Sequence, residues 1–400
     1  MRNKRYCFHC DPAPTILSHR VEKLTDWFRF LTRFLEKGII SLNARFPSRF
    51  VYKVEQVYLK ILTSLLSFLR LGYFTSVGIN KRENVRLRAL VIVDEAVKRG
   101  YVINVFKFLH KPTEIFRLDT NRTSLFFHTF PPTENIDTSY IDFDDKHIFK
   151  SFLKSYNFPH LQGKVVASTR AALRAGHEIG FPLVVKPRHG SLSRHTTVNI
   201  RDDGELIKAI KIVQMIAKEF IVERYISGGV YRVVVVRNKM VACALREAPY
   251  VVGDGVCNIK DLVRIRNINY PSHPIKITPK IISFLRKEGK DISTVPMKGE
   301  YVYLNDKVVL AGGACVRDVT DLIHSDNVDL LEKVSSKLKT GLVGFDIITE
   351  DISLPYHKLP FAIIEANSAP YIDMHHFPDS GKGRNIAAPI IDLTEELFLH

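Results

Sequence analysis

The sequence predicts an α+β fold with mixed sheets, on three observations. It has 400 residues, 46% hydrophobic and 25% charged, a globular balance long enough for two or three cores. From Asp144 onward, helix-like and strand-like runs alternate. Several strand-like runs end on a charged or amide side chain, as FPLVVKP does at Lys186 and FAIIEAN does at Glu365 and Asn367.

The N-terminal stretch is different in kind. Residues 1–89 hold 17 Lys and Arg against 6 Asp and Glu, a net of +11 out of +16 for the whole chain. In VEKLTDWFRFLTRFLEKG and VYKVEQVYLKILTSLLSFLRLGYF, cations interleave with bulky apolar residues at helical spacing, which predicts two amphipathic helices in a basic module over 1–85. Trp27, Phe28, Phe30, Leu31 and Phe34 form its apolar set. The plain reading is a helical subdomain with a solvated basic face, shielding the rest of the chain or forming a homo-oligomer contact. The sharper readings are delivery to an anionic membrane surface or to RNA.

The most lipid-like run, Ile61 to Leu69, is nine residues, far short of the roughly 20 a membrane span needs. The opening MRNKRYCFHC lacks the apolar core and cleavage site of a secretory signal. Five cysteines, an odd number, suit a reducing compartment, so the cytoplasm is expected. Cys7 and Cys10 make one CxxC without the second pair that a four-ligand zinc site requires.

After Arg88 the texture changes to ALVIVDEAVKRGYVINVFKF, which predicts a small α/β unit over 86–141 with a breaker at Pro131-Pro132. The third region, 142–400, carries the chemistry. It predicts helices in DDKHIFKSFLKSYNF and DDGELIKAIKIVQMIAKEF, and strands in PLVVKP, FIVERYI and YRVVVVRNKMVACALRE. Asp254-Gly255 in VVGDG suits a tight turn.

Side chains two apart on a strand share a face, so Glu365 and Asn367 point the same way. GLVGFDIITED would lie beside them and bring Asp346. Three oxygen donors from neighbouring strands suit Mg²⁺, which usually keeps waters and substrate phosphates in its shell. Lys186 ends a buried strand and needs an anionic partner, of which a nucleotide phosphate is one. FIVERYISGG reads as a strand running into a glycine hinge that can lay backbone groups along an adenine.

Taken in order, DDKHIFKSFLKSYNFPHLQGKVV, VVKPRHG, VERYISGGVYRVVVV, LREAPYVVGDGVCNIKDLV, TVPMKGEYVYL, DVTDLIHSDNV, VGFDIITEDIS and IIEANSAPYIDMHHFP resemble the ATP-grasp ligases. Within that family the resemblance is to the ATP-grasp halves of cyanophycin synthetase and of bifunctional glutathione synthetase, and it covers about 142–395. It implies two α+β lobes clamping ATP. It also implies a reaction in which a carboxylate is phosphorylated to an acyl-phosphate and then attacked by an amine, on an amino acid or short peptide. By matching positions, Lys146, Lys186 and Gly190 would contact the ATP phosphates, and Glu223, Tyr225 and Ile226 would line the adenine pocket. Asp346, Glu365 and Asn367 would hold Mg²⁺, and Arg232 and Arg246 would face the reacting centre. One of His375 and His376 matches a family histidine on the substrate side, the other filling space.

The sequence departs from that family in four places. Ser193 and His195 stand where the phosphate-covering loop has glycines, so loop closure is expected to change. Val230 stands where an acid for the ribose hydroxyls is expected. Ala369 and Tyr371 replace glycines after the Asn ligand. The run RNIAAPIIDLTEELFLH is where the ATP-grasp region is expected to end, without the second, Mur-type half of cyanophycin synthetase. Two functions stay open: an active ADP-forming carboxylate-amine ligase, or a nucleotide-binding protein that has lost catalysis and serves as a regulatory or interaction module.

Overall fold

The computed structural model describes residues 48–77, 85–120, 123–133, 141–189, 193–270, 273–305 and 308–399. Cys7, Cys10, the Trp27 to Phe34 set and Gly190 lie outside them.

Helix α1 (Ser48–Phe68) leads into an antiparallel meander of β1 (Gly72–Val77), β2 (Val102–Phe108), β3 (Lys111–Asp119) and β4 (Ser124–His128). Helix α2 (Leu87–Lys98) lies between β1 and β2 in the chain. The meander therefore begins at Gly72, within the stretch read from sequence as the helical module. Leu59 and Thr63 of α1 are buried, while Val54, Val57, Tyr58, Ile61, Leu65 and Phe68 recur at helical spacing and stay exposed. None of the described helices is long and apolar enough to cross a membrane.

A second sheet of four strands has the order β5-β8-β6-β7, from β5 (Gly163–Val166), β6 (Leu183–Pro187), β7 (Thr197–Ile200) and β8 (Phe220–Arg224). One side is covered by α4 (Thr169–Ile179) and α5 (Asp203–Val213), whose Ala172, Ile179, Leu206 and Ile210 pack on Leu183, Val185, Phe220 and Val222. The helix expected over 202–220 stops at Val213, and Phe220 already opens β8.

The central sheet has five antiparallel strands in the order β13-β10-β9-β14-β15: β9 (Gly229–Val236), β10 (Lys239–Glu247), β13 (Cys315–Asp318), β14 (Leu342–Thr349) and β15 (Phe361–Asn367). The β9–β10 turn puts Arg237 and Asn238 at φ 49° and 58°, the left-handed pair of a tight hairpin. Alternation along β9 and β14 splits the faces. Val233, Val235, Phe345 and Ile347 pack against α3 (Lys146–Ser155) and α8 (Ser325–Leu338). Val234, Val236 and Leu342 face the other way and share a core with Val77, Ile103, Phe116 and Ile390. The meander is thus continuous in packing with the central sheet.

A smaller unit pairs β11 (Tyr250–Val252) with β12 (Tyr301–Tyr303) under α6 (Ile259–Asn269) and α7 (Pro279–Lys287). Its turn at Asp254-Gly255 is as expected: Gly255 sits at φ 80°, and the Asp254 carboxylate accepts from the Val256 and Cys257 N–H groups. The chain closes with α9 (Asp373–His376) and α10 (Ala387–Thr394).

Candidate functional site

The face of the central sheet that is apolar at Val234 and Val236 turns ionic at its other end. Asp346 on β14 stands directly opposite Arg232 on β9 and Glu365 on β15. Opposed residues share a face, so three charged side chains meet there. Arg232 Nε donates to one Asp346 oxygen at 2.6 Å, and Arg246 on β10 reaches the other at 2.8 Å. Burial alone would raise the Asp346 carboxyl, but the two guanidiniums hold it below the usual range. Ile364 has no counterpart between the pairs Asp346–Glu365 and Ile347–Ile363, so β15 bulges one residue before Glu365 and can re-aim it. Gly344 lies beneath this point. A Cβ there would sit 2.6 Å from the Pro370 ring and 3.0 Å from Arg232 Nη1, so only glycine leaves room for both.

Across the cleft, the four-stranded sheet presents Lys186 and Glu223. The Lys186 ammonium is 2.6 Å from one Glu223 oxygen, and Lys150 of α3 is 2.6 Å from the other. Burial pushes the Glu223 carboxyl up, yet Lys186 and Lys150 overcome it and bring it down to about 2. Burial pulls Lys150 below its ordinary range, while Glu223 lifts Lys186 above its own despite burial. Gly163 is opposite Glu223, and a Cβ there would meet Glu223 Cβ at 2.7 Å and Lys150 Nζ at 2.9 Å.

Three consecutive residues lock the two sheets to α3. Asp144 accepts from the Ser368 N–H at 2.9 Å and its hydroxyl at 2.5 Å, just beyond β15. Asp145 caps α3 by accepting from the His147 and Ile148 N–H groups, and its other oxygen takes Arg188 at 2.8 Å, just beyond β6. Lys146 pairs with Glu365 at 2.6 Å. Lys150 follows one turn later on the same helix face.

No family model matches the chain. The curated cyanophycin synthetase of Synechocystis sp. is 34% identical over 260 residues, 62% of this chain and 30% of that protein. The glutathione biosynthesis bifunctional protein of Mannheimia succiniciproducens is 29% identical over 231 residues, 54% of this chain and 30% of its own length. The chain thus spans about a third of the length of the curated relatives it matches. The crystal structure of a bifunctional glutathione synthetase from Pasteurella multocida superposes with a TM-score of 0.58 at 22% identity, over 78% of this chain and 44% of that one. The fold is that of the ATP-grasp ligases.

Of the residues singled out in sequence, the ATP-grasp cleft brings Lys146, Lys186, Glu223, Arg232, Arg246, Asp346 and Glu365 into one ionic chain. The anion that Lys186 requires is Glu223, a residue read from sequence as facing adenine; with 3% exposure and both oxygens taken, its carboxylate is a partner for lysines. Tyr225 and Ile226 are half-buried in the β8–β9 connector, where the Tyr225 N–H donates to the Pro182 carbonyl. Asn367 is at the end of β15, its amide 3.4 Å from the Gly344 carbonyl.

The histidine pair separates. The His376 Nε2 accepts from the Ile386 and Ala387 N–H groups at the start of α10, a structural role. His375 is 1% exposed, with no partner on either ring nitrogen, and burial beside Arg232 and Arg246 lowers its pKa to about 3. Ser193 and His195 adopt φ of 50° and 51°, the region glycine favours. The His195 imidazole is fully buried with Nδ1 2.7 Å from the Ile212 carbonyl, so that nitrogen carries its proton.

Sequence reasoning missed Lys150, Asp144, Asp145 and Arg188. The signal for Asp145 was present, since an Asp at the start of a helical pattern is a capping signature.

The donor set at the central sheet fits Mg²⁺ in kind, since Asp346, Glu365 and Asn367 each carry an oxygen donor, but both Asp346 oxygens here hold Arg232 and Arg246 and Glu365 holds Lys146. Among the described residues no cluster of three His, Cys, Asp or Glu side chains could hold a metal unaided. Two carboxylates and an amide match an ion that draws its remaining ligands from substrate phosphates.

Proposed function

We propose that the chain is an ATP-dependent, ADP-forming carboxylate-amine ligase acting on an amino acid or short peptide. One observation carries this reading: five cations meet at three carboxylates between the two sheets, Lys150 and Lys186 sharing Glu223, Arg232 and Arg246 sharing Asp346, and Lys146 on Glu365. Cations that share a buried carboxylate keep donors for a further anion. Phosphoryl transfer needs charge neutralisation and alignment more than covalent chemistry, which is what lysines on a capped helix supply.

In this reading Lys146, Lys150 and Lys186 bind the ATP phosphates, with Glu223 fixing two of the three ammoniums. Tyr225 and Ile226 flank the adenine. Asp346, Glu365 and Asn367 would hold Mg²⁺, which when bound neutralises charge on the phosphates. Arg232 and Arg246 direct unused N–H groups, Nη1 and Nε, to the oxygens of the acyl-phosphate and of the tetrahedral species formed when the amine adds. Purified protein given ATP, Mg²⁺ and a panel of amino acids and dipeptides should release ADP in step with amide product.

The left-handed Ser193 and His195 favour a second reading, a nucleotide-binding protein without turnover, because a loop forced into glycine geometry closes less readily. Saturable ATP binding with no ADP release across the panel would select it.

For the basic N-terminal region we propose delivery to an anionic lipid surface. The exposed apolar stripe of α1, flanked by Lys53, Lys60 and Arg70, supports lipid over RNA, since RNA offers such a stripe little to bury. Co-sedimentation with phosphatidylserine vesicles that survives moderate salt in part is expected. Equal recovery with neutral vesicles, or none at low salt, would refute it.

A further inference from the structure

Helix α1 lies over the β1–β4 meander with a polar stripe turned toward the sheet. Gln56, Lys60, Thr63, Ser64 and Ser67 fall at i, i+4, i+7, i+8 and i+11, one face of a helix, and all line a groove of about 700 Å³ between α1 and the sheet. A helix that packs on a sheet ordinarily turns an apolar stripe to it. Here the apolar set Val54, Tyr58, Ile61, Leu65 and Phe68 is exposed instead.

The helix is tied at both ends. Gln56 pairs with the edge strand β4 as a backbone amide would, its Nε2 donating to the Phe126 carbonyl at 2.6 Å and its Oε1 accepting from the Phe126 N–H at 2.9 Å. Beyond Phe68, the Leu71 carbonyl accepts from the Leu109 N–H at 2.8 Å, where β1 begins. The floor of the groove is aromatic and cationic. Phe74 and Phe126 meet edge to face with centroids 6.0 Å apart, and the Arg117 guanidinium lies 4.6 Å from the centre of the Phe74 ring. Asp119 accepts from Arg117 Nε at 3.0 Å, and also from Asn104 and Ser124, which fixes the guanidinium there. Among the described residues, neither terminal nitrogen of Arg117 makes a hydrogen bond, the Lys60 ammonium makes none, and no carboxylate lines the groove.

We propose that this groove binds a phosphomonoester with an aromatic or alkyl body, the phosphate on Lys60 and Arg117 and the body on Phe74 and Phe126. A phosphomonoester carries a charge of about −1.5 to −2 near neutral pH, which matches two cations with no carboxylate beside them. The two terminal nitrogens of Arg117 make a fork for two phosphate oxygens, and the Ser64 and Ser67 hydroxyls can rotate to donate as well. Bare phosphate would leave both rings and most of the volume unused, and a neutral apolar molecule would leave the polar stripe unpaired. The groove is built from α1, β1, β3 and β4, none of which contributes to the cleft, so the proposal stands apart from the ligase reading.

The test is calorimetric titration of the full chain with phenyl phosphate, hexyl phosphate, inorganic phosphate and phenol. Phenyl or hexyl phosphate should bind saturably, about tenfold or more tighter than inorganic phosphate or phenol. Lys60→Gln, at an exposed helix position, should weaken that binding about tenfold, as should Arg117→Gln, and Ser64→Trp should abolish it by filling the groove. No binding of either ester, equal affinity for inorganic phosphate, or wild-type affinity in both Lys60→Gln and Ser64→Trp would overturn the proposal. Phosphatidic acid vesicles distinguish the source of the ester. Release of bound vesicles by phenyl phosphate marks a lipid head group, and an ester that titrates without displacing vesicles marks a free one.

Discussion

Glu223 holds Lys186 with one carboxylate oxygen and Lys150 with the other, each at 2.6 Å, and so joins a strand of one sheet to the helix that caps the cleft. The arrangement is buried, and removing its single anion strands two ammoniums. Glu223→Gln is expected to cost about 3–5 kcal/mol of folding stability by urea denaturation at pH 7. The sign with pH follows from the carboxyl's fall from 4.5 to about 2. Its stabilising contribution is complete above pH 4.5 and disappears as pH drops toward 2. Wild type should therefore lose stability across that window more steeply than the Gln variant; parallel acid curves would contradict the pairing.

Asp145 links helix capping to Arg188. Asp145→Ala removes the cap of α3 and one of two carboxylates on a buried guanidinium, an expected loss of about 2–4 kcal/mol. ATP affinity should fall with it, because Lys146 and Lys150 lose their fixed helix. Unchanged ATP binding would show that α3 is held by its apolar face alone.

Gly344 makes room for both Pro370 and Arg232. Gly344→Ala is expected to lower turnover at least about tenfold, by displacing the loop after β15, with a smaller effect on ATP affinity. An active Ala variant would mean that the loop is free to shift.

Ser193 and His195 share one backbone geometry and should respond in opposite ways to glycine. Ser193→Gly relieves left-handed strain and should stabilise by up to about 1 kcal/mol. His195→Gly relieves the same strain but empties a fully buried site and removes the bond to the Ile212 carbonyl, so it should destabilise. Thermal melts of the two variants decide the matter.

What could be read from the sequence was set by periodicity. The strand character of β9 and β10, Lys186, Asp346 and the shared face of Glu365 and Asn367 follow from alternation and from polar residues closing apolar runs. Partners across the cleft were not legible, because Glu223 and Lys150 are 73 residues apart and no local pattern pairs them. Arg88 was hidden for the same reason: its contact with Ala369 spans 281 residues. The helix end at Val213 is hidden in the sequence because MIAKEF keeps an apolar rhythm from Met215 up to Phe220, which already belongs to the sheet.

The central claim is acyl-phosphate chemistry in this cleft, and oxygen transfer tests it most directly. In that reaction a carboxylate oxygen attacks the γ-phosphorus as ADP leaves, and the amine then displaces phosphate from the acyl carbon. With a carboxylate substrate labelled with ¹⁸O, ATP and Mg²⁺, the account predicts one labelled oxygen in each inorganic phosphate released, one phosphate per amide bond, and loss of both in Glu365→Gln with its fold retained. Amide formed with unlabelled phosphate, or full turnover by the Gln variant, would contradict it.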